Sequence, residues 1–160
     1  MAIILLCCIG GCSQASLPKD RPEDFSFFLV WGAHGISSYD STTGKLVKSN
    51  MGTKLETSYK MSPQELDAVY AILRELNVES YPDEYDPHKG RTSAPTMTII
   101  LTVHAGDVDK TISAENICLS YDARNIKGQR FLDAVKGISD ILTETEEWQA
   151  LPEADSYLFE

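Results

Sequence analysis

Positive charge is scarce in this chain, and ahead of Lys19 there is no charged side chain at all. Lys and Arg number 14 against 24 Asp and Glu, for a net charge of −10. A surface that negative repels phosphates and anionic headgroups, which excludes nucleic acid as a partner. Cysteine is scarce too: Cys7, Cys8 and Cys12 lie at the start, and beyond them only Cys118 remains. The body of the chain therefore has no internal disulfide and depends on its core, in which Cys118 is expected as a small buried residue. The three histidines, His34, His88 and His104, are too dispersed to suggest a zinc set. No apolar run nears the roughly 20 residues of a membrane-spanning helix. Catalytic signatures are missing as well. There is no G-x-S-x-G elbow, and Ser16-Leu17-Pro18-Lys19 matches S-x-x-K without the companion motifs that give it meaning. Gly44-Lys45 has Leu46 where a phosphate loop needs a hydroxyl, so it reads as a turn. No cofactor and no metal is expected.

What the start does contain is a short apolar stretch, Ala2 to Ile9, followed by two glycines and Cys12. A stretch of that length fits the h-region of a secretory signal. Ile9-Gly10-Gly11-Cys12 resembles the lipobox of bacterial lipoproteins, in which the cysteine thiol takes the lipid and small residues expose the bond ahead of it. The resemblance implies a signal over residues 1–11, lipidation of Cys12, and a domain held outside the cytoplasm on the cell membrane. The expected n-region departs from the pattern in having no Lys or Arg. Either the true start lies upstream or the free amine supplies the positive charge. Ser13 to Asp24 is polar with two prolines and reads as a flexible tether, so residues 12–24 form the lipidated cysteine and tether, and 25–160 a single globular domain.

Phe25 to Trp31, "FSFFLVW", is aromatic and β-branched enough to predict a strand buried on both faces. Ile36–Asp40 and Lys45–Lys48 predict two strands joined through a turn in which Gly44 takes the left-handed position. A fourth strand is expected over Lys54–Tyr59. Ser62-Pro63-Gln64-Glu65 carries a cap, a first-turn proline and the acid of a capping box. Leu66, Val69, Tyr70, Leu73 and Leu76 follow at helical spacing, through about Asn77. Thr96 to His104 alternates apolar and polar residues, and a turn at Ala105-Gly106-Asp107 leads into a partner strand over Val108–Ser113. Asn125 to Glu146 predicts a second amphipathic helix with Phe131, Val135, Ile138 and Leu142 inward; Trp148 and Leu151 are expected to fold back onto the core. The order ββββαββα predicts an α+β two-layer sandwich, with a mainly antiparallel sheet of about five or six strands and both helices on one face.

"GISSYDSTTGKLVK", "ESYPDEYDP" and "LTETEEWQALP" are similar to stretches of a family of small lipoproteins of unassigned function from Gram-positive gut bacteria. The resemblance spans about Phe25 to Pro152. It implies a secreted, anchored domain and carries over no activity and no functional residue.

Between the first helix and the fifth strand lies "ESYPDEYDPHKGRTSAP", Glu79 to Pro95, a loop of unusual length. Tyr81, Asp83, Glu84, Tyr85, Asp86 and His88 make it the candidate binding loop. The acids lack the alternating order of a calcium loop, and the tyrosines suit either a partner contact or an anchor to the domain. The leading expectation is a membrane-anchored, non-enzymatic module that binds a protein or small ligand. Alternatives are a cell-envelope hydrolase with paired carboxylates and an inhibitor of a cationic lytic enzyme.

Overall fold

In the strand Thr96–Ala105, every second residue is buried: Met97, Ile99, Leu101, Val103 and Ala105 are fully inaccessible, and the residues between them are partly exposed. Period-two alternation puts one face of a strand on a core and the other toward solvent. The computed structural model describes residues 16–34, 37–50 and 53–153. Its strands are β1 (Ser26–Trp31), β2 (Ser37–Asp40), β3 (Lys45–Asn50), β4 (Thr53–Ser58), β5 (Thr96–Ala105) and β6 (Val108–Cys118). They form one six-stranded antiparallel sheet in the order β4-β3-β2-β1-β5-β6. The helices are α1 (Pro63–Leu76), α2 (Ile126–Thr143) and the single turn α3 (Glu146–Gln149). The architecture is α+β, in the expected order ββββαββα.

The register sorts side chains by face. Phe27, Leu29, Tyr39, Leu46, Leu101 and Ile112 pair in rows on the helix-covered side. Val69, Tyr70, Leu73 and Leu76 of α1, and Phe131, Leu132, Val135, Ile138 and Leu142 of α2, close the core from above. The capping box at the start of α1 is complete: Glu65 N–H donates to the Ser62 hydroxyl at 3.3 Å, and Ser62 N–H donates to Glu65 Oε2 at 2.7 Å. At Gly44, φ is +72°, and an added Cβ would sit 2.8 Å from the Tyr59 carbonyl oxygen, so the hairpin turn requires glycine.

Three expectations are corrected. β1 is buried on both faces only in part: on the side away from the helices Val30 is 9% exposed, but Phe28 is 37% exposed. The second helix ends at Thr143, and the chain turns before α3. Thr145 caps that new turn by accepting from Trp148 N–H at 3.3 Å. β6 runs to Cys118 rather than Ser113. Its inward spacing slips from two to three between Ala114 and Ile117, and there one β5 residue, Thr98, faces two β6 residues, Glu115 and Asn116. That is a β-bulge, and Asn116 takes the left-handed φ of +53° that it needs.

The stretch read as a tether is packed from Leu17 onward. Leu17 is 7% exposed, the Tyr70 hydroxyl donates to the Pro18 carbonyl at 2.8 Å, and Arg74 reaches the Lys19 carbonyl at 2.9 Å. This segment belongs to the body of the domain, held on α1. Cys12 and the signal expected before it lie outside the described residues. Among the described residues no helix is long and apolar enough to cross a membrane.

Candidate functional site

The loop after α1 begins with one 3-10 turn, Val78–Ser80, and is then fastened at three points. Aromatic packing is the first. Tyr81 is buried, its hydroxyl donates to the Lys127 carbonyl at 3.0 Å, and the Lys127 ammonium lies 4.5 Å from its ring centre. Tyr81 and Tyr85 meet edge to face at 5.0 Å, and both rest on Phe131 of α2, at 5.6 and 5.3 Å. Such edge-to-face pairs favour the quadrupole arrangement and add to the burial of the rings.

The second fastening is to the sheet. Tyr85 N–H donates to the Ser113 carbonyl at 2.8 Å, and Ser113 N–H donates to the Asp83 carbonyl at 2.7 Å. Glu84 and Ser113 thus form a parallel bridge, and the loop covers part of the β6 edge. Third, the segment after Tyr85 is locked onto the start of α2. Asp86 accepts from His88 N–H at 2.8 Å and from Gly90 N–H, which leaves its carboxylate committed to the turn. The Pro87 carbonyl accepts from Asn125 Nδ2 at 2.9 Å, while Asn125 Oδ1 caps α2 through Gly128 N–H at 2.7 Å. A methyl group at Gly128 would collide with the Pro87 oxygen, so only glycine lets the loop approach this closely.

These fastenings divide the candidate residues. Tyr81 and His88 face inward and serve the loop's own structure. His88 is 7% exposed, and its Nε2 lies 3.0 Å from the Ser120 carbonyl, which accepts a hydrogen bond from it. Asp83 forms an ion pair with Lys110 at 2.5 Å. Glu84, Tyr85 and Asp86 do come together, and with Ser113 and Glu115 of β6 they line an open hollow of about 680 Å³. Burial, then the neighbouring Tyr81 and Asp86, pushes the Tyr85 hydroxyl up to about 12. Tyr85 therefore stays neutral, and the charge of the hollow comes from its carboxylates. With Asp86 tied to backbone amides, Glu84 and Glu115 are the acids left to meet a ligand. Glu115 accepts from the Ser113 hydroxyl at 3.1 Å, which orients it on the bulged strand.

Ser113, Glu115 and Lys110 escape sequence reasoning because they lie in a strand about thirty positions from the loop. The one signal was the slip in apolar spacing from Ala114 to Ile117, since bulges re-aim side chains. The arrangement suits an ammonium or guanidinium group: two carboxylates, a hydroxyl and an aromatic ring on a rigid floor. A second hollow, about 350 Å³, lies between α1 and α2, but there Arg130 stands among Glu75 and Asp133, so its charge is mixed.

The other candidates stay apart. His34 is exposed in the turn after β1. His104 lies at the far end of β5, with Nδ1 2.6 Å from Asp109 and Nε2 3.5 Å from Asp24. Among the described residues, no three His, Cys, Asp or Glu side chains converge to hold a metal ion. No family model matches the chain, and no curated protein or solved structure matches it either.

Proposed function

We propose that this chain is a lipid-anchored, extracytoplasmic binding module that takes a cationic group of a protein or small ligand into the hollow beside β6. The observation that carries the reading is the pairing of a rigidly fastened loop with acids: Glu84 and Glu115 line one hollow, and among the described residues no base lines it with them. Binding residues placed on a loop that a scaffold holds still lose little entropy when a ligand arrives. The net charge of −10 steers cations toward the molecule. A cationic lytic enzyme is one protein partner of that chemistry.

The anchor rests on Ile9-Gly10-Gly11-Cys12. Because Leu17 is already buried in the core, a lipid on Cys12 leaves a reach of about 18 Å at full extension between membrane and domain. Two experiments test the two halves. Fractionation of the producing cells places the wild type with the membrane and Cys12→Ala in the soluble fraction; a Cys12→Ala variant that stays with the membrane removes the anchor. Binding of a hexalysine peptide, read by anisotropy, weakens by about tenfold or more in Glu84→Lys/Glu115→Lys. Equal binding by that variant removes the hollow.

A further inference from the structure

The sheet has two edges, and the described residues treat them differently. At β6 the loop residues Asp83–Tyr85 bridge part of the edge. β4 ends the sheet on the other side, and no described strand pairs with its outer edge. Its residues Thr53, Lys54, Glu56 and Ser58 are exposed. An edge strand presents unpaired N–H and C=O groups, and proteins commonly blunt such an edge with charged side chains, proline or a bulge. β4 has no proline and no bulge, and its two edge charges, Lys54 and Glu56, are of opposite sign, so a second copy can pair with them rather than be repelled. It reads Thr53-Lys54-Leu55-Glu56-Thr57, which is chemically the same in both directions once Lys and Glu are allowed to pair.

We propose that β4 is a self-association edge, taking β4 of a second copy antiparallel in the register that sets Leu55 opposite Leu55. In that register each Lys54 faces the Glu56 of the other copy, and each Thr53 faces Thr57. The side-chain faces agree. Glu56 lies on the open side, where it pairs with Lys45 at 2.8 Å, and Lys54, two residues away, projects from the same side. Leu55 projects toward the helix layer, in the row of Lys48. The backbone agrees as well. Tyr59 N–H donates to the Gly44 carbonyl at 2.7 Å. Alternation from that pair turns the amides of Leu55 and Thr57 toward β3 and those of Lys54 and Glu56 outward. Outward Lys54 and Glu56 then exchange hydrogen bonds with Glu56 and Lys54 of the second copy, around a close, non-hydrogen-bonded Leu55 pair. A two-fold axis between the leucines generates every contact twice, the closed symmetry of an isologous dimer.

The interface is short and falls below the roughly 1,200 Å² of standard complexes, so association is weak and concentration-dependent. Repulsion between copies of charge −10 opposes it, which makes about 0.15 M salt the right condition: a Debye length of about 8 Å screens the whole molecules more than touching pairs.

Disulfide trapping on the full chain with its four native cysteines replaced by serine tests the register. Leu55→Cys sets two thiols on Cα atoms about 4.5 Å apart, within disulfide range, while Thr57→Cys sets them about 13 Å apart. Under mild oxidation Leu55→Cys crosslinks rapidly and Thr57→Cys does not. Adding Lys54→Glu to Leu55→Cys slows the crosslink by about tenfold or more, and adding Glu56→Lys to that restores it. Equal crosslinking by Leu55→Cys and Thr57→Cys overturns the proposal, and so does a charge-swapped chain that stays as slow as Lys54→Glu.

Discussion

The Lys48 ammonium donates to the Leu151 carbonyl at 3.2 Å, joining the third strand to the end of the described chain. Lys48 faces the helix layer and is only 5% exposed, a position where a strand ordinarily places an apolar residue. Its charge is met by that carbonyl and by the ring of Trp148, whose centre lies 5.3 Å away. Trp148 in turn stacks on Trp31 at 5.6 Å. Glu153, itself 80% exposed, also reaches Lys48 at 2.5 Å from the solvent side. A buried cation thus clasps the segment after α2 onto the sheet.

Lys48→Ala leaves the Leu151 carbonyl unpaired and strips the cation from Trp148. It is expected to destabilise the fold by about 1–3 kcal/mol. Urea unfolding followed by tryptophan fluorescence checks this, and the native emission of the variant shifts to the red as the Trp31–Trp148 stack loosens. An unchanged midpoint and spectrum would remove the clasp.

The start of α1 has a pH signature. Burial works to raise the Glu65 carboxyl, but bonds from the Tyr59 hydroxyl, at 2.5 Å, and from Ser62 outweigh it and hold the group below its ordinary 4.5. A depressed carboxylate stabilises the fold fully above that ordinary value and loses the contribution as pH falls through the folded value. Urea midpoints of the wild type therefore fall on acidification below about pH 4.5, and Glu65→Gln flattens the fall. Ser62→Ala, which removes the cap itself, costs about 1 kcal/mol at neutral pH.

His104 carries the opposite sign. The hydrogen bond from its ring to the Asp109 carboxylate raises it above its ordinary 6.5, against the opposing effect of desolvation, with help from the charges of Asp109 and Asp24. A raised histidine favours the fold below 6.5 and gives that up as pH climbs through its folded value. Nuclear magnetic resonance titration of the His104 ring is expected to report a value above 6.5 that returns toward it in Asp109→Asn. A wild-type value at or below 6.5 contradicts the pairing.

Much of this was legible wherever one physical demand governs one segment. Ser62, Pro63 and Glu65 announce a helix because their chemistry satisfies backbone amides locally, and the Met97–Val103 alternation announces a half-buried strand. Demands met at a distance were hidden. Leu17 is a single apolar residue among prolines and charges, and its amide donates to Glu79 in the turn after α1, 62 residues away, while the neighbouring Pro18 carbonyl accepts from Tyr70 of α1. Lys48 reads as a surface residue until Trp148 and Leu151 are brought to it. The candidate loop was legible as acidic and aromatic, but its division into inward Tyr81 and His88 and outward Glu84 was not. That division is set by Ser113, Phe131 and Asn125, which no local pattern links to it.

Gly128→Ala tests whether the loop is held as described. Its methyl group collides with the Pro87 oxygen and with Asn125 Nδ2, so either the loop lifts or α2 shifts. The expected cost is about 1–3 kcal/mol in urea unfolding. Amide exchange is expected to quicken at Tyr85 and Ser113, whose mutual bonds hold the loop to β6. Exchange at those two amides matching the wild type would mean that the α2 contact does not hold the loop.

The central claim, that the hollow beside β6 receives cationic groups, is tested most directly by titrating the isotope-labelled protein with hexalysine and following every backbone amide. Saturable shifts are expected at Glu84, Tyr85, Asp86, Ser113 and Glu115, with their loss in Glu84→Lys/Glu115→Lys. Shifts spread evenly over the acidic surface, or clustered at Glu75 and Asp133 between the helices, would contradict it.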